Sequence, residues 1–208
     1  MGKCVIIGGA PIARHEELKK YLAADDYCIY CDCGLRHMEG LGRKPDLIIG
    51  DFDSSRDPHM SVETITLPVA KDDTDTVYAV KEALHRGFDE FLLLGVVGAR
   101  FDHSLGNVSA LLMLEALGKK AMIVDDYSEM QVISGGVAFV EPEFPYFSLL
   151  NISGEAKGIN IENAKFPLKA AEISCEYQYG ISNEPLPGMA ARISLERGRL
   201  LLVKVRGD

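Results

Sequence analysis

"PDLIIGDFDSS", Pro45 to Ser55, runs from an apolar stretch straight into acid. Leu47, Ile48 and Ile49 read as a buried core strand. Asp51 and Asp53 then arrive on either side of Phe52. Carboxylates at the mouth of a core strand are costly unless something positive pairs with them. The stretch therefore raises two matters together: how the neighbouring strands are arranged, and which cation meets the acids.

Upstream, "KCVIIGG" is an apolar run closed by glycines, "ARHEELKKYLAADD" has Leu18 and Leu22 at helical spacing, "YCIYCD" is a strand, and "LRHMEGLG" a short helix ending in glycine. Downstream, "VETITL" is a further strand candidate. "TDTVYAVKEALHRG" is a helix with Val77, Val80 and Leu84 on one face and Gly87 as its stop. "EFLLLGV" is a strand. "DHSLGNVSALLMLEALG" is a helix with Leu105, Val108 and Leu112 as its stripe, and "KKAMIVDD" closes the series as a strand. Strands alternating with helices imply a mainly parallel sheet with helices on both faces. After about Asp126 the helical patterns stop. Short strand-like runs follow, from "MQVISGG" to "RLLLVKVRG", separated by Gly, Pro and Asn. The expected organisation is an α/β domain over residues 1–126 and an antiparallel β-sandwich over 127–208.

The bulk composition narrows the partners. The 208 residues carry a net charge of −9, which disfavours nucleic acid, because phosphate backbones need clustered Lys and Arg. No apolar run is long enough for a membrane span, and the N-terminal apolar stretch is too short for a signal peptide. The odd count of 5 cysteines reads as reduced thiols in the cytoplasm. Cys28, Cys31, Cys33 and His37 have a loosely zinc-like spacing. A strand would point Cys28 and Cys31 to opposite faces, so buried thiols are the better reading.

In open parallel sheets, ligands sit beyond the carboxyl ends of the strands. Gly8 and Gly9 follow the first strand, Asp32 and Gly34 the second, and Asp51 and Asp53 the third. Gly95, Gly98, Arg100, Asp102 and His103 follow "EFLLLGV", and Asp72 and Asp75 precede a helix. Several carboxylates and an arginine are thus expected at one edge. Clustered carboxylates repel unless they share a cation, and magnesium suits hard oxygen ligands and bridges substrate phosphates. Glycine turns entering helix N-termini suit phosphate oxygens, and Arg100 offers a bidentate fork. The pattern points to a nucleotide phosphate chain held by magnesium. Each residue also has a plainer reading: Asp51 and Asp53 as turn formers, Asp72 or Asp73 as a helix cap, Asp75 as a dipole complement, Asp102 as another cap, His103 as a surface residue.

The segments "CDCGLRHMEGLGRKPDLIIGDFDS", "KDDTD", "GVVGARFDHSLGN" and "GISNEP" together resemble the thiamine pyrophosphokinases of bacterial type. The resemblance spans nearly the whole chain. It implies transfer of the pyrophosphoryl group of ATP to the hydroxyl of thiamine, giving thiamine diphosphate and AMP. It also implies a homodimer with a thiamine cleft lined by both subunits. By position, Asp32, Asp51, Asp53 and Asp75 match the family's reaction-centre acids, the last three as magnesium ligands. Asp72, Arg100, Asp102, His103 and Asn107 match its nucleotide side, and Ser182 and Asn183 its thiamine side. Two positions depart from the pattern: Cys33 stands where Gly or Ala is usual, and Ala99 where Gly is common. A diphosphokinase acting on another alcohol, such as a pterin carbinol, and a non-catalytic nucleotide or thiamine sensor are the alternatives.

Overall fold

The computed structural model describes residues 2–52, 60–70 and 72–207. The chain divides into two compact units, Met1–Asp126 and Tyr127–Asp208. No helix among the described residues is long and apolar enough to cross a membrane.

In the first unit the apolar runs become β1 (Cys4–Ile7), β2 (Tyr27–Cys31), β3 (Leu47–Gly50), β4 (Glu63–Thr66), β5 (Glu90–Leu94) and β6 (Lys120–Val124). They pair in parallel in the order β4-β3-β2-β1-β5-β6. The order reverses between β1 and β5, which makes that gap the topological switch point of the sheet. β1, β2, β3 and β5 are apolar at nearly every position because both of their faces are covered. Val5, Ile7, Cys28, Tyr30, Leu92 and Leu94 share one core with Leu18 of α1 (His15–Lys19) and Leu41 of α2 (Met38–Leu41). On β1, β2 and β3 also packs α3 (Asp75–His85), which touches α4 (Phe101–Ala116).

Three local expectations differ from what forms. The helical pattern of "ARHEELKKYLAADD" yields only the short α1. Asp26, buried, accepts from Ala23 N at 2.7 Å and pairs with Lys3 at 2.8 Å, so the chain turns where a helix would continue. The buried face of α3 is Ala79, Val80 and Ala83, with Val77 and Leu84 only half-buried. The buried face of α4 is Ser104, Asn107, Ala110, Leu111 and Leu114, and Leu105 is 52% exposed. Equating buried with apolar chose the wrong stripe on α4, because Ser104 and Asn107 are buried with their polar atoms hydrogen-bonded to main chain.

The second unit contains β7 (Ser128–Ile133), β8 (Val137–Val140), β9 (Tyr146–Leu150), β10 (Glu155–Glu162), β11 (Leu168–Ser174), β12 (Ala191–Ser194) and β13 (Leu200–Val205). β7-β13-β9 and β11-β10-β12-β8 pair antiparallel. Phe147, Leu149, Leu200 and Leu202 from one set and Ile159, Ile161, Ile173 and Ile193 from the other form one core. Two antiparallel layers closing on shared apolar side chains make this a β-sandwich.

Candidate active site

A cavity of about 540 Å³ opens at the carboxyl edge of the parallel sheet. Its floor is the switch point. β1 and β5 are followed directly by Gly8 and Gly95, and a Cβ on either would stand 2.6 Å from the other's carbonyl oxygen. Gly95 also holds φ at +60°, which favours glycine. Side chains are thus kept out of the crevice where the two strand ends meet. Ala10 N donates to Gly95 O at 2.8 Å, so the loop after β1 stays tied to β5. His37 Nε2 lies 2.8 Å from Ala10 O, and His15 Nε2 lies 3.2 Å from His37 Nδ1, which further fixes that loop.

Asp32, Asp51, Asp75, Arg100, His103 and Asn107 all line the cavity. Asp32 and Asp51 follow the ends of β2 and β3, and Asp75 is the first residue of α3. The cap of that helix is Thr74, whose hydroxyl accepts from Val77 N at 3.3 Å. Asp72 and Asp73 are therefore not the cap: Asp72 is exposed and outside the cavity lining, and Asp73 pairs with Lys81 at 2.6 Å. Asp53 lies outside the described residues. Among the described residues no group of three or more His, Cys, Asp or Glu side chains forms a metal cage, and all five thiols are free.

The glycine-rich loop after β5 is anchored from α4. Asn107 Nδ2 donates to Val96 O at 2.7 Å. Ser104 Oγ accepts from Gly98 N at 3.1 Å and lies 3.1 Å from Arg100 O. Arg100 immediately precedes α4 and grips Asp102 with two contacts, Nε to Oδ1 at 2.9 Å and Nη2 to Oδ2 at 2.7 Å. Both side chains are exposed. The hydrogen bonds from Arg100 hold the Asp102 carboxyl well below the usual carboxylate range. Asp102 is not among the cavity-lining residues, and no side-chain bond caps α4. Ser104 went unnoticed in the sequence. Its signal was position alone, a small polar residue one helical turn after the loop it anchors. Cys31, Thr74 and Thr76 are further cavity-lining residues that the sequence reading left without a role there, and Cys33, which departs from the family pattern beside Asp32, lines the cavity too.

In the second unit, Ser182 is exposed and holds φ at 57°. Asn183 is buried. Its Nδ2 donates to Phe166 O at 2.8 Å, and its Oδ1 accepts from Phe166 N at 3.0 Å and Glu184 N at 2.9 Å.

A family model described as thiamin pyrophosphokinase, catalytic domain, matches residues 18–123. A second, described as thiamin pyrophosphokinase, vitamin B1 binding domain, matches residues 137–200. The chain is 25% identical over 207 residues to the thiamine pyrophosphokinase of Bacillus subtilis (strain 168), with 96% of each chain covered. The crystal structure of a thiamine pyrophosphokinase from Bacillus subtilis superposes with a TM-score of 0.87 at 24% identity, covering 99% of this chain and 100% of that one. The thiamin pyrophosphokinase of Geobacillus thermodenitrificans gives 0.83 at 25% identity, covering 99% and 98%.

Proposed function

The chain belongs to the thiamin pyrophosphokinase family of ATP-dependent thiamine diphosphokinases, and we propose that the switch-point cavity is where the pyrophosphoryl group of ATP passes to the hydroxyl of thiamine. The products are thiamine diphosphate and AMP. The observation that carries this is the convergence of Asp32, Asp51, Asp75, Arg100, His103 and Asn107 on one cavity at the carboxyl ends of parallel strands. The match to a vitamin B1 binding domain favours thiamine over a pterin carbinol as the acceptor.

The donor set of Asp51 and Asp75 on the cavity wall is all oxygen, which suits magnesium better than a softer metal. Asp51, Asp53 and Asp75 are the residues that would hold it, and its chemistry there would be to neutralise charge on the phosphate chain. The chain's own groups supply the rest. The bare glycine turns of β1 and β5 admit phosphate oxygens close to the backbone. Arg100 offers its guanidinium to charge that grows on the phosphates as AMP leaves. Asp102 keeps that guanidinium oriented until the nucleotide arrives. Asp32 or Asp75 takes the proton of the attacking hydroxyl, late in a loose transition state that asks little of a base. Asp72, exposed and outside the cavity lining, is assigned to the nucleotide side on the family resemblance alone. Ser182 faces thiamine, and Asn183 fixes the segment that carries it. The protein works as a cytoplasmic homodimer in which both subunits line the thiamine site.

Purified protein is supplied with ATP, magnesium and a panel of alcohols, and nucleotides are separated by chromatography. The expected result is AMP together with thiamine diphosphate when thiamine is the acceptor. AMP with a pterin carbinol alone, or ligand-induced stabilisation with no AMP, overturns the reading. Mixing inactive Asp51→Asn and Ser182→Ala chains tests the shared site, since a mixed dimer regains activity only if one intact site combines residues of both subunits.

A further inference from the structure

The turn after β2 puts a thiol beside one of the cavity acids. Cys33 Sγ lies 3.2 Å from Asp32 Oδ2, and both residues line the cavity. The main chain of this turn is held on two sides. Asp32 sits at φ 38°, an uncommon backbone for a residue with a side chain. Its Cβ lies over Gly50 at the end of β3, where an added Cβ would approach it to 3.1 Å. The Cβ of Cys33 lies over Gly9 after β1, where an added Cβ would stand 2.8 Å away. Arg36 Nε donates to Cys33 O at 2.9 Å and closes the turn. With the backbone wedged between two strand ends, the remaining freedom of Asp32 is the rotation of its carboxylate, and the thiol bears on that rotation.

We propose that Cys33 is a positioning residue for Asp32: its S–H donates to Oδ2 and holds the carboxylate in one orientation on the cavity wall. The inference rests on the role given to Asp32 above. Burial, and then the neighbouring Asp32, push the Cys33 thiol up, so it remains protonated and able to donate. The other nearby thiol, Cys31, is buried and its sulfur contacts Asp75 O at 3.7 Å.

The bond can be read without catalysis. In a Cys175→Ser background, Cys33 is the accessible thiol, because Cys4, Cys28 and Cys31 are buried. Its rate of alkylation by iodoacetamide is followed by mass spectrometry. Asp32→Asn is expected to raise that rate about threefold or more, because the charge that favours the thiol form is gone. An unchanged rate overturns the bond. In steady-state assays Cys33→Ala is expected to lower kcat/KM for ATP by about three- to tenfold, and Cys33→Ser, which restores a donor, to recover most of it. Faster labelling of Asp32→Asn combined with a fully active Cys33→Ala overturns the positioning role alone. Full activity in Asp32→Asn overturns the role of Asp32 in the cavity.

Discussion

At the carboxyl edge of the parallel sheet, glycines stand at the strand ends and Asp32, Asp51, Asp75 and Arg100 are among the residues that line the cavity. In the Ser182–Asn183 segment of the sandwich the arrangement is reversed. Asn183 is buried and spends its amide on Phe166 and Glu184, so the side chain maintains the backbone. Two sets of polar residues with similar claims on substrate are therefore built for different ends. Removing a cavity acid should cost chemistry with little stability. Removing Asn183 should cost stability first.

The largest effect expected is on turnover. Asp51→Asn and Asp75→Asn should each lower kcat by about a hundredfold or more while circular dichroism and the melting temperature stay close to wild type. A large loss of Tm in both would break the contrast. Next is Arg100→Ala, expected to raise KM for ATP by about tenfold while KM for thiamine holds. Asp102→Asn should have a smaller effect, because Asp102 contacts the Arg100 guanidinium and is not among the cavity-lining residues. Asn183→Ala is expected to destabilise by about 1–3 kcal/mol in urea unfolding, since the buried Asn183 side chain gives up its hydrogen bonds to the main chain of Phe166 and Glu184. If its stability is unchanged and only KM for thiamine rises, the segment is a direct contact and the contrast fails.

The smallest effect concerns pH. Burial holds His37 below its ordinary value of 6.5, and the nearby His15 and Arg36 act in the same direction, whereas its hydrogen bond to Ala10 and the charge of Asp126 oppose it. The unfolded chain therefore binds the proton first as pH falls. The stabilisation is intact above about 6.5 and is lost as pH falls through the depressed folded value. Tm should drop between about pH 7 and about pH 5, and the drop should be a few degrees smaller in His37→Asn.

Much of this was legible in the sequence where local pattern and topology agree. The alternation of apolar strands and helices led to the parallel sheet, and the rule for strand ends led from Asp51 to the cavity. What could not be read has a common physical cause. The true face of α4 rests on Ser104 and Asn107, polar residues whose hydrogen bonds reach back to the Gly95–Arg100 loop, and no periodicity shows such bonds. The truncation of α1 rests on Asp26 bonding to Ala23 and Lys3. The internal use of Asn183 depends on Phe166, 17 residues away. Asp53 lies outside the described residues, and its place in the acidic set remains part of the proposal.

The central claim is that carboxylates from a strand end and a helix start, Asp51 and Asp75, share a divalent cation on a nucleotide's phosphates. Manganese is titrated into the protein holding a non-hydrolysable ATP analogue, and free ion is read by electron paramagnetic resonance. The account predicts that the complex binds manganese more tightly than the analogue alone and that Asp51→Asn and Asp75→Asn each weaken this by about tenfold or more. Unchanged affinity in both variants would contradict it.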